Sequence, residues 1–340
     1  MEDKITKYTM ADIAKEAGVA KSTVSRYFNE GYVRPETREK IRAVVERTGF
    51  EPSAAAQNLK AKETHTVGVI VPSMTSPSAG RLITAMDNEL RKQGYSCLII
   101  TTDHHPEREI AAIDYLRSLR VDGIVLVATT LGEEHQRLQR SSPIPFLVMG
   151  QKFTEGTSIV YDDYQAGLTV GQYAAKMGHK DIVYIGVNED DYAVGVRRRD
   201  GVLEGLDDPS KVQKIEMRET TFSYEEAREV ARKVLDEGIP DLIIGATDSI
   251  ALAVYKEVRE RGLRVPEDVS IIGFGAYDVS QLLTPALTSI RFENEMAGRL
   301  CASTLIAMIK KQPVAPLQVL GFRFMKGQSV ADLSQIQSNE

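Results

Sequence analysis

The chain has 340 residues, of which 42% are hydrophobic, and this length suits two or three domains with cores of their own. No run of about 18 apolar residues occurs, so we expect no membrane span. The formal net charge is −6, and the N-terminal MEDKITKYTM lacks the apolar stretch of a signal peptide, which predicts a cytoplasmic protein.

Positive charge is concentrated at the N-terminus. Residues 1–62 contain 12 Lys and Arg against 9 Asp and Glu, whereas the remainder contains 30 against 39. A basic head on an acidic body suits a protein with one surface for a polyanion, although an excess this small also arises by chance.

The first 50 residues have the pattern of three short helices. Thr9 and Asp12 have the spacing of a capping box, and Gly18 permits the left-handed conformation that ends a helix. A second helix is predicted over 21–29, and a third begins near Pro35. The residues expected to be buried are Met10, Ile13, Ala14 and Ala17, then Val24, Tyr27 and Phe28, then Ile41, Val44 and Val45.

This arrangement is that of a helix-turn-helix followed by a packing helix, in which the second helix lies in the DNA major groove. Lys21, Ser22, Ser25 and Arg26 would face outward. Short side chains allow close approach to DNA, and Arg can bind guanine through paired hydrogen bonds. The alternative is an ordinary three-helix bundle with a solvated polar face.

Several short motifs resemble the N-terminal domain of the LacI/GalR family of bacterial repressors. They are Asp12-Ile13-Ala14, Ala17-Gly18-Val19, Thr23-Val24-Ser25-Arg26, Asn29, Thr37-Arg38 and the later EPSAAAQNLKAKET. The resemblance continues through nearly all of the chain.

The resemblance implies a set of DNA contacts. Lys21, Ser22 and Arg26 would meet base edges, and Thr9, Thr23, Ser25, Asn29 and Tyr32 would hold phosphates. In the segment 51–63, which the resemblance makes a hinge helix, Ser53 stands where the family has Asn. Ala56 and Leu59 would enter the minor groove, with Leu59 as the wedge that kinks the duplex.

From Thr66 onward, continuous apolar runs alternate with amphipathic segments, which indicates parallel strands covered on both faces. The predicted fold class is an all-α helix-turn-helix head on an α/β body of two doubly wound parallel-sheet lobes, like a periplasmic sugar-binding protein. We place the head at 1–50, the hinge or linker at 51–63, the N-terminal lobe at 64–160, the C-terminal lobe at 161–290 and a tail at 331–340. By resemblance, each lobe also includes part of 290–330.

Ligands of such sheets bind at the carboxyl ends of the strands. The candidate effector-binding residues at these ends are Ser73, Ser76, Ser78, Gln151, Arg198, Thr247, Asp248 and Gly275. Phe222 either stacks on the apolar face of a sugar or belongs to the core. Arg198 is the principal candidate, because the family carries a ligand-binding Arg three residues before the position of Gly201.

Two candidate positions depart from the family pattern. Thr247-Asp248 replaces a familiar Asn-Asp pair, and Gly275 stands where many relatives have a ligand-binding Asp. We expect a different ligand, or compensation by Asp278, Gln151 or Asp191.

The sequence contains no common catalytic or metal-binding motif, so we expect no enzyme, cofactor or metal site. The pair His104-His105 lies in a polar loop and is expected to lie on the surface rather than to bind a metal. Cys97 and Cys301 lie in apolar segments and are predicted to be buried thiols rather than a disulfide, which fits a reducing compartment.

Together, these features predict a repressor of a carbohydrate-utilisation operon. Its partners would be pseudo-palindromic operator DNA, a small sugar or sugar phosphate (sucrose first) and a second copy of the chain, favoured as a dimer. One alternative is a global carbon-catabolite regulator of the same family whose partner is a phosphorylated carrier protein. Another is a sugar-binding or sugar-modifying protein.

Overall fold

A computed structural model describes residues 8–28, 31–50, 63–208 and 212–334, and its contacts divide the chain into the units Met1–Thr64 and His65–Glu340. The predicted fold class is confirmed: a helical head precedes a body with two parallel sheets.

The described part of the head contains α1 (Met10–Glu16), α2 (Lys21–Phe28) and α3 (Pro35–Thr48). Thr9 caps α1 in the predicted capping box with Asp12, and Gly18 has a φ of 64° in the turn before α2. The buried core consists of Ile13, Ala14, Ala17, Val24, Val33, Ile41 and Val44. Tyr27, Phe28 and Val45 are partly buried around it, as predicted, whereas Met10 is only half-buried and lies outside this core.

The first sheet has the strand order β11-β5-β4-β3-β1-β2, and all its pairings are parallel. Its strands are β1 (Thr66–Val71), β2 (Ser96–Thr101), β3 (Gly123–Val127), β4 (Phe146–Met149), β5 (Thr157–Tyr161) and β11 (Leu317–Leu320). The helices packed on it are α4 (Pro77–Lys92), α5 (Pro106–Ser118), α6 (Glu133–Ser141) and α12 (Asn294–Ile309). We call this sheet with its helices the first lobe.

Alternation along β1 explains why this sheet is covered on both faces. Val67, Val69 and Val71 join a core with α4 and α12, whereas Ile70 joins a second core with α5 and α6. The apolar runs of the sequence are therefore continuous because both faces of each central strand are buried.

The second lobe is built on a sheet of order β12-β10-β9-β8-β6-β7, in which β12 is antiparallel to β10. Its strands are β6 (Asp181–Val187), β7 (Lys214–Thr220), β8 (Leu242–Gly245), β9 (Ser270–Phe274), β10 (Thr288–Phe292) and β12 (Phe322–Met325). Its helices are α7 (Asp163–Lys176), α8 (Arg199–Gly205), α9 (Tyr224–Glu237), α10 (Asp248–Glu260) and α11 (Asp278–Leu282). The chain thus crosses between the sheets after β5, after β10 and after β11.

Three elements differ from the sequence expectations. The strand β5 was not predicted, because TSIVY has only three apolar or aromatic residues and no long run. The short helix α11 was also not predicted. A π-helix, Tyr192–Arg198, leads directly into α8, and a Cβ on its Gly195 would overlap the backbone carbonyl oxygen of Asn188.

Both cysteines are free thiols, as predicted, with Cys301 buried and Cys97 half-buried. Burial raises the pKa of each thiol to about 12. Among the described residues, no helix has the length and apolar character needed to cross a membrane.

Glycines bring α7 and α8 into backbone contact. A Cβ on Gly167 would overlap the carbonyl oxygen of Arg198, and a Cβ on Gly201 would overlap that of Tyr164. Because neither helix can move away without disturbing the sheet beneath it, this contact fixes the position of Arg198, the last residue before α8.

We predict that Gly201→Ala lowers the free energy of unfolding by about 1–3 kcal/mol, the usual cost of overpacking a core. The matched control is Gly80→Ala in α4, where an added Cβ meets nothing within 4 Å. That variant should gain about 0.5–1 kcal/mol from helix propensity. Urea denaturation of both variants measures the difference, and equal midpoints for Gly201→Ala and the parent would contradict the prediction.

Candidate functional site

The head presents a polar face on α2. Lys21, Ser22 and Arg26 are exposed, Ser25 is half-buried, and Val24 on the opposite side is fully buried. Burial of Val24 fixes the rotation of the helix, so the structure brings the predicted base-reading side chains onto one surface.

The residues predicted to hold phosphates have mixed placements. Tyr32 is 83% exposed, whereas Thr23 is half-buried. Thr9 is exposed, but its hydroxyl donates to Oδ2 of Asp12 at 2.7 Å and accepts from the Asp12 N–H at 3.3 Å. Those hydrogen bonds lower the pKa of Asp12. Asn29, Ser53, Ala56 and Leu59 lie outside the described residues, and their DNA contacts stay predictions.

In the body, the carboxyl ends of the two sheets are joined by side chains, and we call this region the inter-lobe site. Gln151 Nε2 donates to the Thr129 carbonyl at 2.7 Å and to Oδ1 of Asp191 at 3.1 Å. Thr130 donates to the Asp190 carbonyl at 2.6 Å. Thr129 and Thr130 follow β3 and Gln151 follows β4, both strands of the first lobe, whereas residues 190–191 follow β6 of the second lobe. These hydrogen bonds therefore cross between the lobes.

An aromatic stack also crosses between the lobes. The rings of His104 and Phe222 lie 5.1 Å apart and 14° from parallel. Burial lowers the pKa of His104, against the raising effect of Glu109 and Asp103. Phe222 is half-buried and packs against the core of the second lobe, and its stacking on a sugar stays a prediction.

Arg198 is buried at the carboxyl edge of the second sheet. Its Nε and Nη2 donate to Oδ1 of Asp163 at 3.0 and 2.5 Å, and its Nη1 donates to the Ala246 carbonyl at 2.5 Å. The guanidinium carbon lies 4.9 Å from the ring centres of both Phe274 and Phe292. A guanidinium has five N–H donors, so a ligand can share Arg198 with these partners.

The carboxylate partner of Arg198 was not identified from the sequence. Asp163 is 5% exposed and begins α7, directly after the strand that ends at Tyr161. Burial raises the pKa of Asp163, and the charge and hydrogen bonds of Arg198 oppose this effect. The signal available in the sequence was the acidic pair Asp162-Asp163 at a strand end, the position that parallel sheets give to functional residues.

Asp191 is a second buried acid of the inter-lobe site. It caps the π-helix by accepting from the Val194 N–H at 3.0 Å, and it accepts from Gln151. Burial raises its pKa to about 6, against the lowering effects of the Val194 hydrogen bond and the Arg198 charge.

Four predicted effector residues come after two of the strands: Ser73, Ser76 and Ser78 follow β1, and Thr247 follows β8. Ser73 pairs with Thr75 at 2.8 Å, and Thr247 caps α10 by accepting from the Ile250 N–H at 3.3 Å. Ser76 is the N-cap residue of α4, with no side-chain capping hydrogen bond, and Ser78 lies in the first turn of that helix.

The structure does not bring Asp248 to the surface of the inter-lobe site. Its side chain is fully buried, and its oxygens accept from the Tyr277 N–H at 2.8 Å, from Ser280 at 2.6 Å and from Ser289 at 2.5 Å. Burial raises its pKa, and these hydrogen bonds oppose the rise. Asp248 therefore supports the loop after β9, a role that its place at a strand end did not reveal.

Gly275 offers no side chain and has no room for one. Its φ is 139°, and an added Cβ would lie 2.5 Å from Cε1 of Tyr277. Within the described ranges, no three His, Cys, Asp or Glu side chains are grouped so as to hold a metal ion.

Both units match a known family. Residues 9–53 match the bacterial regulatory proteins of the lacI family, and residues 64–332 match the periplasmic binding proteins and sugar binding domain of the LacI family.

Two curated relatives and one solved structure extend the match. The sucrose operon repressor of Staphylococcus xylosus is 36% identical over 90% of this chain and 95% of its own. Catabolite control protein A of Priestia megaterium is 30% identical over 83% of this chain and 86% of its own. A crystal structure of the Lac repressor dimer bound to operator and the anti-inducer ONPF has a TM-score of 0.83, covers 96% of this chain and 100% of its own, and is 23% identical, which supports the fold alone.

The raised pKa of Asp191 predicts a pH-dependent stability. Because its ordinary pKa is 3.8 and its folded value is about 6, the folded protein holds this proton more tightly than the unfolded chain. Its contribution is fully present below pH 4 and is lost as pH rises through 6, by up to about 3 kcal/mol.

Asp191→Asn cannot ionise, so its free energy of unfolding relative to the parent should rise between pH 4 and 7. The matched control is Asp190→Asn, which makes the same charge change at an exposed position and should show no such trend. Urea denaturation at four pH values and constant ionic strength measures both. A flat difference for Asp191→Asn is the contrary result.

Proposed function

Since the chain belongs to the LacI family of bacterial regulatory proteins, we propose that it is a sequence-specific transcriptional repressor of a carbohydrate-utilisation operon, released from its operator by a small sugar. The observation that carries the proposal is the union, in one chain, of an exposed α2 face and a two-lobed body whose strand ends share a polar site. Neither part alone would couple a small molecule to DNA.

The head would read one half-site through α2 in the major groove. A pseudo-palindromic operator then requires a two-fold dimer, since each copy supplies one α2. Acting on DNA, the protein would work in the cytoplasm.

The body would bind the sugar at the inter-lobe site. Vicinal hydroxyls suit planar groups with several donors or acceptors, and Arg198, Asp191 and Gln151 supply such groups within one network. Sucrose is the first sugar to test, because the relative with 36% identity is a sucrose operon repressor.

Release follows if the sugar binds one arrangement of the lobes more tightly than the other. A ligand can shift the equilibrium only by this differential affinity. The inter-lobe hydrogen bonds of Gln151 and Thr130 are the contacts that a sugar hydroxyl would replace or extend.

We infer binding rather than catalysis at this site. The relatives that share most of the chain are transcriptional regulators. Incubation of the protein with a panel of sugars and analysis for new products tests this, and turnover of any sugar would support the sugar-modifying alternative.

The central test is fluorescence anisotropy of the full-length protein on a labelled pseudo-palindromic operator from its own promoter region. Salt concentration is held constant because phosphate contacts make the affinity salt-dependent. We expect one sugar or sugar phosphate of a panel to release the DNA. If the DNA binds and no sugar changes it, the phosphorylated carrier protein becomes the partner to add.

We predict that Arg198→Ala retains operator binding and loses the response to the sugar. The guanidinium is the largest concentration of hydrogen-bond donors in the site, and alanine removes all of them. The control is Arg197→Ala, next in the chain but exposed, whose guanidinium lies 4.4 Å from the Tyr164 ring. An unchanged sugar response in folded Arg198→Ala would contradict the effector role.

We predict that Arg26→Ala weakens operator binding by about 1–3 kcal/mol and relaxes the base preference at one position of each half-site. The control is Arg42→Ala on α3, also exposed and paired with Glu39 at 2.7 Å, which should leave the base preference intact. Anisotropy on an operator series with single substitutions distinguishes the two. A uniform loss across the series for Arg26→Ala would assign this residue to phosphate instead.

A further inference from the structure

A segment near the end of the chain crosses the second lobe at the edge opposite the inter-lobe site. Residues 327–334, which we call the terminal strap, follow β12 and lie at the amino ends of the parallel strands. The Gly327 N–H donates to Oγ1 of Thr288 at 3.1 Å, and the Ile271 N–H donates to the Ser329 carbonyl at 2.8 Å. Since Thr288 begins β10 and Ile271 lies at the start of β9, the strap joins two neighbouring strands.

Ser329 anchors the terminal strap to the lobe. Its side chain is fully buried, and its hydroxyl donates to the Ile271 carbonyl at 2.5 Å and accepts from the Thr288 N–H at 2.8 Å. Two residues later, the Ala331 N–H donates to Oγ of Ser270 at 3.0 Å. The strap therefore supplies partners to backbone and hydroxyl groups at the starts of the strands.

The far end of the terminal strap covers the turn between α7 and β6. The Leu333 N–H donates to the Met177 carbonyl at 2.7 Å. Gly178 has a φ of 81°, and a Cβ on it would lie 2.8 Å from the backbone nitrogen of Ser334. The strap is thus in backbone contact with the two residues that precede His179.

His179 is a buried titratable residue with unpaired ring nitrogens. Its side chain is 0% exposed, and neither ring nitrogen has a hydrogen-bond partner among the residues that the structure describes. A neutral imidazole leaves one donor and one acceptor unpaired, whereas a protonated ring would leave two donors and a charge. Because a buried charge without hydrogen bonds costs far more than a neutral polar group, the closed strap favours the neutral ring.

The charged groups around His179 reduce this cost without removing it. They are Asp241 before β8, Asp332 of the strap, and the chain neighbours Lys176, Lys180 and Asp181, the last of which pairs with Lys214 at 3.4 Å. Asp241 already accepts from the N–H groups of Lys180 and Asp181, at 2.9 and 3.1 Å. Burial lowers the pKa of His179, and the charge of Asp241, the backbone of Ala331 and the charge of Asp332 oppose this effect.

The carboxylate of the strap does not titrate in the same range as a histidine. Asp332 accepts from the Ser334 N–H at 3.1 Å and from its hydroxyl at 2.5 Å. These hydrogen bonds lower the pKa of Asp332 below its ordinary value of 3.8, so it keeps its charge while His179 titrates.

We propose that the terminal strap is a pH-sensitive switch, in which uptake of a proton by the buried ring of His179 opens residues 327–334 from the second lobe. The protonated ring regains its hydration only when the strap lifts, so acid favours the open form. The ordinary pKa of histidine is 6.5, and a lowered folded value means that the stability of the closed strap is fully present above pH 6.5 and declines as pH falls below it. This switch is independent of the effector.

Hydrogen exchange of the full-length protein, read by mass spectrometry at about pH 7.5 and about pH 5.5, tests the inference. Protection is expressed relative to unstructured peptides at the same pH, which removes the intrinsic effect of pH. A local measurement is needed because Asp191 has the opposite effect on global stability. We expect the amides of 327–334 to lose up to about tenfold of their protection in acid, and those of β1 to change less than about twofold.

His179→Phe replaces the imidazole by an apolar ring that takes up no proton. Because no hydrogen bond of the ring is lost, the strap should stay closed and keep its protection at both pH values. His179→Leu serves the same purpose if the larger phenylalanine ring does not fit. The control is His105→Phe, which removes a 51% exposed histidine and should lose protection in acid as the parent does.

Three results would overturn the inference. Equal protection of the strap at both pH values in the parent would show that no switch exists. A loss that persists in both His179→Phe and His179→Leu would assign the proton to another group, such as Asp241. An equal loss in the amides of β1 would mean that acid unfolds the body as a whole and does not open the strap.

Discussion

The buried ion pair between Arg198 and Asp163 is the interaction on which the arrangement of the second lobe depends. A charge removed from water has to be paired, and removal of one partner leaves the other at a cost of several kcal/mol. Asp163 from α7 supplies the pair, and the rings of Phe274 and Phe292 each lie 4.9 Å from the guanidinium carbon. This arrangement requires α7 and α8 to touch, which only glycine at positions such as 201 allows. The close packing of α7 on α8 and the pairing of the buried charge of Arg198 therefore depend on each other.

The contacts between the lobes are of a different kind. Each lobe has a core of apolar side chains. The residues that bridge the carboxyl edges are polar, such as Gln151 with Asp191 and Thr130 with the Asp190 carbonyl. Single neutral hydrogen bonds contribute only about 1 kcal/mol each, so the lobes can change their contacts without loss of either core. A ligand that offers several hydroxyls at once has the affinity to bias that equilibrium.

The sequence predicted those parts of the fold that depend on long patterns. Strands such as β1 and β9 are continuous apolar runs because both of their faces are buried, and β5 escaped because five residues with two leading hydroxyl side chains form no such run. The expectation that ligands bind at strand ends selected Arg198 and Gln151, and both side chains lie at the carboxyl edges of the sheets, where their ligand role stays a prediction. It also selected Asp248, which stands at the same kind of position but points into the lobe, because the rule fixes where a residue is and not where its side chain goes.

Tyr277 shows the limit more clearly. In the sequence GFGAYD it is an ordinary aromatic residue two positions after a glycine, and the natural interpretation of Gly275 was the loss of a ligand contact. The positive φ of Gly275 and the ring of Tyr277 packed over it are visible only in the structure. Local patterns predict elements, whereas the packing of a ring over a glycine depends on the backbone conformation of the loop.

The sign of the charge balance differs between the head and the rest of the chain. The segment 1–62 has an excess of Lys and Arg over Asp and Glu, and the remainder has the opposite excess. An acidic body disfavours contact with a polyanion, so under the proposed function the affinity for DNA would rest on the few basic and hydroxyl side chains of the head. Affinity that rests on few contacts is readily overcome by a sugar that acts elsewhere in the chain, whereas a uniformly basic protein would stay on DNA whether or not the sugar was bound.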